Sequence, residues 1–132
     1  MGWIKWDSTL ELGHSAMDAD HRQLVAQVNQ LADCIVNNRG KEVYNALIDD
    51  LFAHTSAHFG MEEQLMAAHS YPYAEEHRSE HARLIKDAIA HRAKFDASNQ
   101  PSISLLFFFD QWLSRHILNS DRELAKFLAR SK

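Results

Sequence analysis

Residues 41–68 read KEVYNALIDDLFAHTSAHFGMEEQLMAA, and the reading of this run decides the class of fold. It lies between Gly40 and the break Ser70-Tyr71-Pro72, with no proline inside it. As one helix it would be about 40 Å long at 1.5 Å per residue. Val43, Leu47, Leu51 and Leu65 recur at helical spacing and are expected to face inward, and His58 and Glu62 stand in the same row. A helix of that length with one apolar face needs partners of its own length to cover it.

Three such partners can be read outward from it. Asp18 or Asp20 can cap a helix running to about Arg39, with Gly40 as its stop. A third helix follows from about Tyr73 to Phe95. After the connector Ala97-Ser98-Asn99-Gln100-Pro101, a fourth runs from Ser102 to Ala129. Short loops between helices of similar length predict an all-α fold, an up-down-up-down four-helix bundle over 18–129. The whole chain, 1–132, is expected to be one domain, with 1–17 as an irregular N-terminal arm whose Trp3 and Trp6 pack on the bundle.

The stripes agree with this arrangement. Leu24, Val25, Val28, Leu31 and Ile35 follow His21 in the first helix. Leu84, Ile85, Ala88 and Ile89 follow His77 and His81 in the third. In the fourth, Leu106, Phe109, Trp112, Leu113, Ile117, Leu124 and Leu128 surround His116 and Asp121. Met61, Met66 and the run Phe107-Phe108-Phe109 read as core and bundle surface.

Composition narrows the function classes. A chain of 132 residues with 45% hydrophobic content can bury a core of its own. The net charge of -4, with signs interspersed, argues against nucleic acid or an anionic membrane as partner. No run has the length of a secretory signal or a membrane span, so a cytoplasmic protein is expected, and with no obvious interface, a monomer. Cys34 is the only cysteine, which excludes an internal disulfide and a thiolate cluster.

What remains is a set of polar groups on four apolar faces: His21, His58, Glu62, His77, His81, His116 and Asp121. A single histidine on such a face is more often a hydrogen-bonded core residue than a ligand. Seven together reverse that expectation, because buried imidazoles and carboxylates cost several kcal/mol each unless paired or bound to metal. Seven donors exceed the four of a tetrahedral ion and the six of an octahedral one, so two metals sharing carboxylates are expected. Residues four apart share a helix face, which lets His58/Glu62 and His77/His81 point at one centre. His116 and Asp121 are five apart and would diverge by about 140° on a regular helix. A π-bulge or a break between them is therefore predicted. His14, His69 and His91 are read as solvated, and His54, one turn before His58, as a supporting or core histidine.

The segments MDADH, HFGMEEQLM, HRSEH and WLSRHILNSD, spread over nearly the whole chain, resemble those of the single-domain bacterial hemerythrins. The resemblance implies a non-haem di-iron site of Fe2+/Fe3+ ions. His77, His81 and His116 would complete one iron, while His21 and His58 would hold the other. Glu62, Asp121 and an oxo or hydroxo group would bridge them, and the second iron would keep a position open for O2. His14 departs from the pattern, since similar proteins tend to have an aliphatic residue there.

Five neutral imidazoles against two anions suit oxygen carriage better than oxidation, for which carboxylate-rich di-iron sites are used. Leu24, Phe59, Trp112, Leu113 and Ile117, next to or one turn from the ligands, are expected to wall the O2 pocket and keep it dry. Reversible O2 binding for carriage, storage or local supply is thus the expected function, with an O2-consuming enzyme as a conceivable recipient and no enzymatic activity of its own. Alternatives at this level are a di-iron peroxidase or oxidase, nitric oxide handling, an O2, redox or iron sensor, and a metal store or zinc-stabilised bundle.

Overall fold

The computed structural model describes residues 8–98 and 103–130, so Trp3 and Trp6 lie outside the described residues. After a short 3-10 turn at Ser8–Leu10, four rods follow: α1 (Ser15–Val36), α2 (Lys41–Ala68), α3 (Ala74–Ser98) and a last rod made of α4 (Ile103–His116), a wide π-turn (Ile117–Asp121) and α5 (Arg122–Arg130). α1 packs on α2 and α4, and α3 packs on the same two, which closes the up-down-up-down bundle. No helix of the described residues is long and apolar enough to cross a membrane.

α2 has the expected bounds, whereas α1 begins earlier than expected. Its cap is His14, whose Nδ1 accepts from the Met17 N–H at 3.3 Å. His14 is therefore half-buried and structural rather than solvated. Asp18 turns back instead and accepts from the N–H groups of Leu12 (2.9 Å) and Gly13 (3.1 Å), pinning the end of the arm to the bundle. Gly40 does not stop α1 either. The helix ends at Val36, Asn38 takes the left-handed conformation (φ +50°), and Gly40 (φ +104°) precedes α2.

The inward faces differ from expectation at two positions. In α2 the buried row is Tyr44, Ile48, Leu51, Thr55, His58, Phe59, Glu62 and Met66. Val43, expected inside, is 43% exposed, whereas Leu47 packs partly buried against the core. Ile89 is 55% exposed because Ala88 takes the inward place at the end of that stripe. The other expected apolar positions are buried or packed against the core.

Two apolar clusters result. The larger contains Leu24, Val28, Leu31, Tyr44, Ile48, Leu51, Phe59, Leu106, Phe109, Trp112, Leu113 and Ile117. The smaller contains Met17, Met66, Tyr71, Leu124, Ala125 and Leu128. His21 lies between Met17 and Leu24 on α1, Glu62 between Phe59 and Met66 on α2, and Asp121 between Ile117 and Leu124 on the last rod. The seven polar groups thus form a layer between two apolar ones.

Candidate metal centre

All seven predicted residues are buried, the most exposed of them, His77, at 4%. They converge as two groups that share their carboxylates: Glu62, His77, His81, His116 and Asp121 on one side, His21, His58, Glu62 and Asp121 on the other. Each carboxylate offers one oxygen to each group. Glu62 Oε1 lies 3.1 Å from His77 Nε2 and 3.0 Å from His81 Nε2, while its Oε2 lies 2.8 Å from His58 Nε2. Asp121 Oδ1 lies 3.1 Å from His77 Nε2 and 2.9 Å from His116 Nε2, while its Oδ2 lies 2.8 Å from His21 Nε2.

The wide turn makes this convergence possible. Widening the helix over Ile117–Asp121 brings Asp121 onto the face that His116 already occupies, as the five-residue spacing required. On a regular helix the carboxylate would have faced away.

The contacts within the layer do not satisfy it. Nε2 of His21 and His58, Oε2 of Glu62 and both oxygens of Asp121 are buried with no hydrogen-bond partner among the described residues. They are close to one another but aimed past one another. Two of the imidazole nitrogens, His81 Nε2 and His116 Nε2, even stand 3.1 Å apart. Adjacent ligand atoms at about 2.1 Å from a shared ion are separated by about 3.0 Å in octahedral geometry, the spacing found here. Imidazole and carboxylate donors without thiolate also suit iron. The residues therefore fit a two-metal centre.

Electrostatics fit as well. In the metal-free chain burial lowers the pKa of His21 and His77, but the carboxylates of Asp121 and Glu62 outweigh it and raise each to about 9. Burial likewise lowers His58, and Glu62 more than offsets it. His116 ends well above its ordinary value through Asp121, Glu62 and Glu80. Burial raises Glu62 and Asp121, yet the surrounding imidazoles leave both well below the usual carboxylate range. In the metal-free chain the two anions favour protons on His21, His58, His77 and His116, where cations would otherwise sit.

Three further acids, missed in the sequence, lie behind the imidazoles. His58 Nδ1–H donates to Asp20 (2.8 Å), His81 Nδ1–H to Glu63 (3.1 Å), and His116 Nδ1–H to Glu80. Such bonds fix the tautomer and turn the Nε2 lone pair to the centre. Each acid adjoins a candidate ligand on its own helix but supports one on the next helix round the bundle. His54 takes its expected supporting place, with Nδ1 bonded to Gln27 Oε1 at 2.8 Å and Nε2 3.6 Å from Asp20. His69 is exposed at the end of α2, whereas His91 is half-buried against Phe108 rather than solvated.

The five expected pocket residues are all buried. Phe59 lies against His81, and Trp112 against His116 at 5.9 Å between ring centroids, so both cover the three-histidine group. Leu24 follows His21 by one turn in α1, on the two-histidine side. Trp112 also lines a narrow crevice of about 20 Å³ with Phe52, Thr55, Leu84 and Phe109.

Known proteins resemble this chain over most of its length. The profile of the hemerythrin HHE cation binding domain matches residues 12–128. A bacteriohemerythrin of Stenotrophomonas maltophilia is 28% identical over 125 residues, covering 95% of this chain and 81% of that protein. One of Pseudomonas aeruginosa is 29% identical over 123 residues, 92% of this chain and 78% of its own. A hemerythrin-like protein of Naegleria gruberi is 28% identical over 118 residues, 89% and 87% respectively.

Proposed function

The chain belongs to the hemerythrin family, and from that premise we propose that it binds O2 reversibly at its metal pair, to carry, store or locally supply oxygen. The hemerythrin domain binds a di-iron centre, and this chain has the cluster to hold one. His77, His81 and His116 would hold one iron, His21 and His58 the other, and Glu62 and Asp121 would bridge them. Filled in this way, the centre supplies reducing equivalents and one open position for a small ligand.

The observation that carries the reading is the inequality of the two groups, five residues against four. Five residues would hold one ion and only four the other, so the second would keep more room for a ligand from outside the protein. That room would suit a diatomic molecule better than a diatomic and an organic substrate together. Leu24, Leu113 and Ile117 are buried hydrocarbon, and as a wall of the open position they would keep water away from it. The imidazole-rich donor set works in the same direction, since fewer anionic ligands make high-valent iron less accessible.

The test is iron content with the visible spectrum of anaerobically reduced protein, before O2, after O2 and after its removal. Two irons per chain and a colour that comes and goes reversibly support a carrier. Two irons with net O2 consumption would replace it by an oxidase or peroxidase, and a colourless zinc protein would leave a structural bundle.

A further inference from the structure

Glu80 stands apart from the other supporting acids because it touches the last rod at two points. From α3 it accepts the Nδ1–H of His116, the residue immediately before the wide turn. Its two oxygens also meet the hydroxyl of Ser120, inside that turn, at 3.0 and 2.9 Å. Its side chain is 28% exposed, so it is partly withdrawn from water and held between two partners.

We propose that Glu80 is a positioning residue for the metal centre: it clamps the wide turn across Ile117–Asp121 and, through His116, sets the donor strength of the three-histidine group. The inference rests on the di-iron reading above. A π-turn is an uncommon way to run a helix, and an isolated helix would relax to regular geometry. Relaxation here would rotate Asp121 out of the layer and separate it from His116. A contact bridging residues 116 and 120 from outside the helix opposes that rotation. The same carboxylate makes the imidazole of His116 a more basic donor, since a ring whose N–H is bonded to an anion pushes electron density to its other nitrogen.

The roles separate by substitution. Glu80→Gln keeps the shape and an oxygen to accept from His116 but removes the charge. Ser120→Ala keeps the charge and removes the clamp. Glu80→Ala removes both, and Glu76→Ala, an exposed acid one turn away on α3, is the control. Folding of each metal-free variant is checked by circular dichroism and melting. Co(II) affinity is measured by chelator competition, and the reduction potential of the iron-loaded protein by titration. Glu80→Ala should lose about 10- to 100-fold in Co(II) affinity. Ser120→Ala should lose less and change the Co(II) absorption spectrum. Glu80→Gln should regain most of the affinity but move the potential to a more positive value. Glu76→Ala should match the parent.

If the parent binds two Co(II) and Glu80→Ala binds them within twofold as tightly, Glu80 is no positioning residue and the inference falls alone. Equal potentials for Glu80→Gln and the parent would overturn its electronic part. A parent that binds no metal would overturn both the inference and the reading beneath it.

Discussion

Phe59 lies flat on His81, with ring centroids 3.8 Å apart and planes within 4°. The stack fixes the plane of an imidazole whose edge nitrogens meet Glu62 and Glu63. Replacing Phe59 with Ala should destabilise the metal-free protein by about 3–5 kcal/mol, because a buried ring is lost and a cavity remains. Phe59→Leu should restore much of the stability but not the flat contact, so metal affinity should recover less than the denaturation midpoint. Parallel recovery of the two would show that the ring acts by volume alone.

Glu62 belongs to both groups of candidate ligands, whereas His58 belongs to one. Glu62→Ala should therefore yield protein with less than one iron per chain, and His58→Ala protein retaining about one, measured by elemental analysis after loading. Iron at the parent level in either variant would contradict the ligand assignment.

Leu24 follows His21 by one turn and is buried. Leu24→Ala should leave two irons bound but admit water and shorten the lifetime of the oxygenated form, read as faster decay of its visible band. Its fold should weaken by about 2–5 kcal/mol. An unchanged lifetime would remove Leu24 from the pocket wall.

The metal-free and iron-loaded proteins should respond oppositely to alkali. His21 and His77 keep their protons to about 9 in the folded metal-free chain, against about 6.5 for an unfolded histidine. Their contribution to stability is complete below about pH 6.5 and is lost as pH rises through 9. Glu62 and Asp121 are held below their ordinary values of 4.5 and 3.8, so their contribution is present above those values and is lost as pH falls further. The melting temperature of the metal-free protein should thus peak near about pH 5–6 and decline toward 9. Iron requires neutral imidazoles, so metal retention should improve over the alkaline part of that range and fail on acidification. Superimposable pH profiles would exclude this competition between protons and metal.

The fold and the seven polar residues were legible because both are periodic. α2 runs unbroken between its two stops, and the five-residue gap from His116 to Asp121 announces the wide turn. The first half of α2 was misread because Val43, Tyr44, Leu47 and Ile48 support two phases at once. Counting back from His58 through Thr55, Leu51, Ile48 and Tyr44 selects the observed one. The cap at His14 was hidden, since aspartates nearby are better cappers by type and only the fold shows that Asp18 is engaged by Leu12 and Gly13. Asp20, Glu63 and Glu80 could not be assigned from spacing. Each adjoins a candidate ligand in sequence, but its partner is on another helix, and tertiary packing alone makes that pairing.

Placing the ionic layer between two apolar clusters should divide the molecule's cooperativity. The smaller cluster, Met17, Met66, Tyr71, Leu124, Ala125 and Leu128, is joined to the larger one across a plate of mutually dependent charges. With ions in the plate, the two ends should melt as one body. Without them, amide exchange should reveal an end around α5 and the α2–α3 corner that opens on its own, before the Leu31–Tyr44 end yields. The metal would then be a splice between two small foldons as well as a place for oxygen to sit.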